Sequence, residues 1–320
     1  MKKKLSLVLI AMQFIPFREF AQQNDSLVNK PDSISRRMDA NEKQISLSSY
    51  NETTNITFNN YFPLLASSMK QEFSKPFNMT GKDWGNVGKF ALAFAALSFA
   101  DEPMQKWSVK MMHNNRPVRN ISSFVTKFGG PYERTTLATL AAYGLIAKNP
   151  KLVNTALLAS QAYLTGSAIE IVLKLISGRT RPNYYTAYEE AEPKFLGPFT
   201  GLGRDATGKK RYSSFPSGHA IIAFGAATVF CEEYKNIKYL PVLAYSAATL
   251  VGLSRITENR HWISDVLTGA VIGYLNGKSV VNNYHRYSKL KKSQQNKSTI
   301  SYTFQYFNKQ VIPGIIYTFK

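Results

Sequence analysis

Six apolar stretches, each rich in Ala, Leu, Ile and Gly, dominate residues 87–284 and constrain the fold more than any other feature of the chain. Their apolar residues recur three and four apart, which is a helical period. They cover about residues 87–107, 135–148, 151–177, 217–234, 238–256 and 261–284. The expected fold class is all-α, a helical bundle of about six core helices, and the small residues let helices approach closely. A membrane span takes roughly 20 mostly apolar residues. Most uncharged windows here are shorter, such as 90–100, 220–231 and 266–277, and the longest, 152–169, carries Asn154, Ser160, Gln161, Thr165 and Ser167. A compact bundle, exported whole and associated with a membrane surface, fits this pattern better than six full spans.

The flanks read differently. Lys2, Lys3 and Lys4 precede an apolar run over 5–17 and a small residue, Ala21, so residues 1–21 resemble a signal peptide or anchor. Residues 22–80 are polar, rich in Asn, Ser, Thr and Lys, and read as a loosely ordered arm. The helical domain is then 81–284. Residues 285–320 form a basic tail, with His285, Arg286, Lys289, Lys291, Lys292 and Lys297, followed by a short C-terminal β-hairpin. In that hairpin Ile300, Tyr302, Phe304 and Tyr306 alternate with Ser301, Thr303 and Gln305, and the return strand lies over 311–319.

Lysine and arginine outnumber acidic residues 40 to 20, which suits an anionic partner: an anionic membrane surface or a phosphorylated substrate. No zinc-type spacing or base-reading helix accompanies the charge, so nucleic acid ranks last. The single cysteine, Cys231, lies in an apolar run, forms no intrachain disulfide and reads as a buried inert thiol. Oligomeric state is left open.

Three clusters stand at predicted helix ends. Lys174, Arg179, Arg181 and Pro182 close the third helix; Pro216-Ser217-Gly218-His219 opens the fourth; Ser254-Arg255 closes the fifth, with His261 and Asp265 opening the sixth. If successive helices run antiparallel, these ends share one face of the bundle. A phosphate ester at that point finds fixed positive charge in Lys174, Arg181 and Arg255. Ser217 and Gly218 offer the free N–H groups of a helix start. His261 and Asp265 are four apart, so the carboxylate is expected to accept a hydrogen bond from one ring nitrogen and leave the other to attack phosphorus, giving a phosphohistidine. His219 would protonate the leaving alcohol and then activate water. No carboxylate cluster suited to a metal goes with these residues, so no metal is expected and the cations take its place.

Other candidates are weaker. His113 and His285 read as surface residues, and Asp101 and Glu102 as helix-end residues. The long loop after residue 182 holds Tyr184, Tyr185, Tyr188, Phe195, Phe199 and Tyr212, which serve either loop packing or a lid over the leaving group.

At these residues the chain resembles the type 2 phosphatidate phosphatase superfamily, with its class A acid phosphatases and vanadium haloperoxidases. The signature Lys-x6-Arg-Pro, Pro-Ser-Gly-His and Ser-Arg-x5-His-x3-Asp is met by Lys174 with Arg181-Pro182, by Pro216-Ser217-Gly218-His219, and by Ser254-Arg255 with His261 and Asp265. Each position is met by chance at about a few per cent, and all are met together. The resemblance covers roughly residues 87–284. It implies an all-helical fold and a metal-independent phosphatase, with phosphate held by Lys174, Arg181, Ser217, Gly218 and Arg255, nucleophile His261 oriented by Asp265, and acid His219. With the basic tail and aromatic loop it favours a lipid phosphate such as phosphatidate or a related envelope lipid, handled by an exported envelope enzyme. No cofactor is expected, and vanadate should inhibit. The alternatives are a soluble periplasmic acid phosphatase on small phosphomonoesters and a vanadate-dependent haloperoxidase, in which vanadate is the cofactor.

Overall fold

The structure, a computed structural model, describes residues 55–185, 190–200, 211–295, 299–307 and 310–318, with side chains described through Ser288. The leader expected over 1–21, most of the expected arm and Tyr188 lie outside the described residues. Nine α-helices are present among the described residues: α1 (Phe58–Ser74), α2 (Gly81–Ser98), α3 (Asp101–Asn114), α4 (Arg116–Val125), α5 (Pro131–Ile146), α6 (Pro150–Ser177), α7 (Gly218–Glu233), α8 (Leu240–Thr257) and α9 (Ile263–Gln295).

Local chemistry sets many of the boundaries. Thr80 and Asp83 close a capping box at the start of α2. Pro150 begins α6, where the Asn149 side chain accepts the Leu152 N–H at 3.1 Å. The helix expected over 87–107 is instead two, α2 and α3, because the chain turns at Phe99 and Ala100 and restarts with Asp101 in a first turn.

A second correction concerns the arm. Residues 58–74 form α1, and Leu64, 2% exposed, joins Leu158, Ala162, Val229, Val280, Val281 and Tyr284 in the core. The polar residues that read as loop are the contacts that hold α1. Asn283 donates to the Leu64 carbonyl at 3.3 Å and to Ser68 Oγ at 2.9 Å. Gln161 donates to the Tyr61 carbonyl at 3.0 Å, and the Ile56 N–H donates to Asn154 at 2.9 Å. Deeper in, Thr165 donates to Asn276, which donates to the Ala162 carbonyl.

The bundle is therefore polar inside to an unusual degree and apolar outside. Leu92, Leu145, Ile146, Ile171, Ile176, Val242, Leu243 and Leu250 are all more than half exposed. Amide and hydroxyl contacts between helices, with large apolar side chains facing outward, are the arrangement that suits a lipid surround. Two of the described helices, α6 and α8, are long and apolar enough to cross a membrane, and most of each lies unburied.

Helices α7 and α9 run side by side from a common end. Gly269, Gly273 and Gly277, four apart on α9, face the α7 backbone; a Cβ on Gly273 would come within 2.3 Å of the Ile221 carbonyl oxygen. Beyond α9, β1 (Thr299–Phe307) and β2 (Gln310–Thr318) pair antiparallel. The expected packing of a hairpin on the bundle involves side chains that lie outside the described residues.

Candidate active site

All three charged clusters arrive at the shared end of α7 and α9. The Ser217 N–H donates to the Asp265 carbonyl at 3.1 Å, joining the starts of the two helices. The N–H groups of Arg260 and His261 donate to the Arg255 carbonyl at 3.0 and 3.3 Å, folding the end of α8 onto the following loop. Trp262, fully buried, donates from its indole to the Thr180 carbonyl at 2.8 Å, which ties that loop to the segment leaving α6. That segment turns at Gly178, whose φ of 53° is left-handed. A side chain there would also strike Thr200 and the Gly197 carbonyl.

His261 is buried, but its partner differs from expectation. Nδ1 lies 2.7 Å from the Ser214 carbonyl oxygen and 3.7 Å from Asp265 Oδ2. The acceptor is a backbone carbonyl, 47 residues away in sequence, which no side-chain spacing reveals. Asp265 accepts instead from Arg179 at 2.6 Å, from Ser214 Oγ at 2.5 Å and from the Trp262 N–H at 3.0 Å. It fixes the two segments that carry His261 and its acceptor, and so orients the imidazole at one remove.

The expected phosphate-binding groups gather around the two imidazoles. Burial, then the charges of Arg255, Lys174 and Arg181, push His219 down to about 3. Burial and the same three cations hold His261 well below the usual imidazole range. Both shifts favour the neutral imidazole. Arg181 is steadied by Ser213, donating to its Oγ at 3.2 Å and its carbonyl at 3.1 Å. Arg255 is braced by Glu258 at 2.6 Å and by Thr126. Lys174 is paired with Glu170. Ser217 Oγ and Arg255 Nε are buried without a hydrogen-bond partner among the described residues. A buried donor left unmade is costly.

Several residues that the sequence named without a part in the site support it. Arg179, 1% exposed, donates to Asp265, to Ser264 Oγ at 2.7 Å and to Asp101 at 2.6 Å, with Phe195 under its guanidinium at 4.7 Å. Asp101 also accepts from the Ser264 N–H and Oγ, so it anchors the start of α3 to the first turn of α9. It does occupy a helix start, as expected, yet it is wholly buried. Phe195, from the aromatic loop, packs against Phe94 and Phe215. Tyr184, Tyr185 and Tyr212 cluster, with Arg211 over Tyr184. Gly129 and Gly130 let the turn before α5 lie against the His219 ring. Arg260, exposed at the rim, adds its charge to Arg181 and Arg255. His113 is exposed, while His285 is half-buried and bonded to Glu233 at 2.9 Å.

Fold and site together define a helical protein whose helix ends enclose a basic pocket with two histidines. Residues 155–289 match the PAP2 superfamily, a match that begins inside α6 and includes every signature residue. Over 89 residues it is 40% identical to a lipid A 1-phosphatase of Porphyromonas gingivalis, covering 26% of this chain and 20% of that protein. Over 130 residues it is 32% identical to lipid phosphate phosphatase 1 of Arabidopsis thaliana, covering 36% of this chain and 39% of that protein. The chain thus spans a fifth to two fifths of these curated relatives. A solved PAP2-type phosphatidylglycerolphosphate phosphatase from Bacillus subtilis is 20% identical with a TM-score of 0.43, covering 61% of this chain and 93% of its own.

Proposed function

We propose that this domain is a phosphomonoesterase that removes phosphate from a lipid through a phosphohistidine on His261. The observation that carries it is the convergence of Lys174, Arg181 and Arg255 on two imidazoles, His261 buried and His219 part-buried, whose charged forms those cations disfavour. With Nδ1–H donating to the Ser214 carbonyl, the lone pair of His261 is on Nε2 and is the nucleophile. It attacks phosphorus while the P–O bond to the alcohol breaks, and the three cations offset the charge gathering on the equatorial oxygens. A phosphate dianion in the pocket raises the pKa of His219, which gives its proton to the leaving oxygen. The same ring then takes a proton from water as water displaces His261 and releases inorganic phosphate.

The lipid preference is supported by the outward apolar faces of α6 and α8, next to the site, and by the lipid phosphates named for the two relatives. An exported, envelope location is supported by the leader-like residues 1–21. The decisive assay is phosphate release from a panel of lipid and small soluble phosphomonoesters, with a trap for acid-labile phosphate on the protein. Turnover and label should both vanish in His261→Ala with the fold intact. Undiminished turnover in that variant refutes the mechanism, and a preference for the soluble esters refutes the lipid assignment.

A further inference from the structure

Glu170 lies one helical turn before Lys174 on α6. Its carboxylate is ion-paired with the Lys174 ammonium, and both side chains are less than a fifth exposed, at 19% and 17%. The same carboxylate lies against the first residue of α7. A Cβ built on Gly218 would meet its Oε1, Cδ and Oε2 at 2.1, 2.2 and 2.3 Å, so only glycine leaves the carboxylate this seat. Glu170 thus rests on the pocket's lysine and beside the start of α7. Its negative charge is also felt by Arg181. Asp265 is already held by Arg179, Ser214 and the Trp262 N–H. Glu170 is on a flexible side chain and holds one cation.

We propose that Glu170 is a resident anion of the pocket, which occupies Lys174 until a phosphate group displaces it and returns as phosphate leaves. The proposal rests on the phosphatase reading above. Gathering one buried and two part-buried cations in a pocket is costly, and a tethered carboxylate offsets part of that cost. The same carboxylate opposes any incoming anion, since Lys174 must be released before it can bind phosphate. It therefore weakens product binding and favours turnover over product retention.

A plain helical i,i+4 pair that only aims Lys174 makes the opposite prediction. The test is calorimetric titration of inorganic phosphate into the full chain at fixed pH and salt. Wild type is compared with Glu170→Gln, Lys174→Met and the double variant, and Glu170→Ala is measured alongside in case the glutamine variant fails to fold. Glu170→Gln should bind phosphate on the order of tenfold tighter, the scale expected when a part-buried competing charge is removed. In the Lys174→Met background the same substitution should gain clearly less, because only the longer-range effect of the charge on Arg181 is then removed. Unchanged or weaker binding in Glu170→Gln, or an equal gain without Lys174, overturns the proposal. If neither wild type nor Glu170→Gln binds phosphate, the phosphate pocket itself falls; if wild type binds and the variant gains nothing, only the role of Glu170 falls.

Discussion

His261 is oriented by the Ser214 carbonyl, 2.7 Å from its Nδ1, rather than by Asp265, whose nearer oxygen stands 3.7 Å away. Ser214 has two separate duties, because its hydroxyl donates to Asp265 while its carbonyl faces the ring. Ser214→Ala deletes only the first. It should cost about 1–3 kcal/mol of stability, the usual effect of stripping one partner from a buried polar group, and leave kcat within about tenfold of wild type. Asp265→Ala leaves Arg179 short of a carboxylate and should cost about 3–5 kcal/mol, with a far larger loss of kcat. Denaturant melts and phosphate-release kinetics on the two variants check this. Equal losses of kcat would show that the hydroxyl, not the carbonyl, positions the ring.

The depressed histidines set a pH dependence of stability. In the folded chain His219 sits at about 3 and His261 well below 6.5, whereas both titrate near 6.5 once unfolded. Below pH 6.5 the unfolded state binds more protons, so stability falls as pH drops from about 6.5 toward 3. Above that window both states hold neutral rings and these residues contribute no slope. His219→Asn should flatten the acid limb of a plot of thermal midpoint against pH. A midpoint equally acid-sensitive in that variant would assign the slope elsewhere.

The same shift makes phosphate binding proton-linked. His219 is neutral at about pH 6 and above, and a bound phosphate dianion among the cations favours its charged form. Titrating phosphate in buffers of different ionisation enthalpy, at a pH above its second ionisation so that it enters as the dianion, should show net proton uptake of at most about one per site. In His219→Asn the uptake should disappear while binding persists. Uptake of the same size in that variant would place the proton on another group.

Much of the pocket was legible in the sequence because its charges fall at helix ends, where chain direction alone predicts a meeting point. Lys174, Arg181, Ser217, Arg255 and the two histidines needed only helix bounds. The supporting contacts were not legible. Asp101 and Arg179 are 78 residues apart, and adjacency to Glu102 made Asp101 look like an ordinary helix-end acid. The Ser214 carbonyl has no side-chain signal at all. Helix α1 was missed because Gln71, Ser68 and their neighbours read as polar loop, although here polar side chains join helices. A bundle that puts amides inward and leucines outward defeats the rule that apolar residues mark the core.

The glycines of α9 offer the sharpest test of how the site is assembled. A Cβ on Gly273 would lie 2.3 Å from the Ile221 carbonyl oxygen and 3.0 Å from the Gly225 nitrogen, both backbone atoms of α7. Backbone cannot swing aside as a side-chain tip can, so Gly273→Ala must push the two helices apart. Overpacking of this kind costs about 1–3 kcal/mol. The first contact to stretch is the one between the Ser217 N–H and the Asp265 carbonyl, which sets His219 and His261 in register. Gly88, in α2, has nothing within 4 Å of its built Cβ, so Gly88→Ala should stabilise the chain by about 0.5–1 kcal/mol through helix propensity alone. Thermal melts and kcat for the pair should therefore move in opposite directions in stability, with turnover lost only in Gly273→Ala. If that variant keeps full turnover, close α7–α9 contact is not what brings the two imidazoles together.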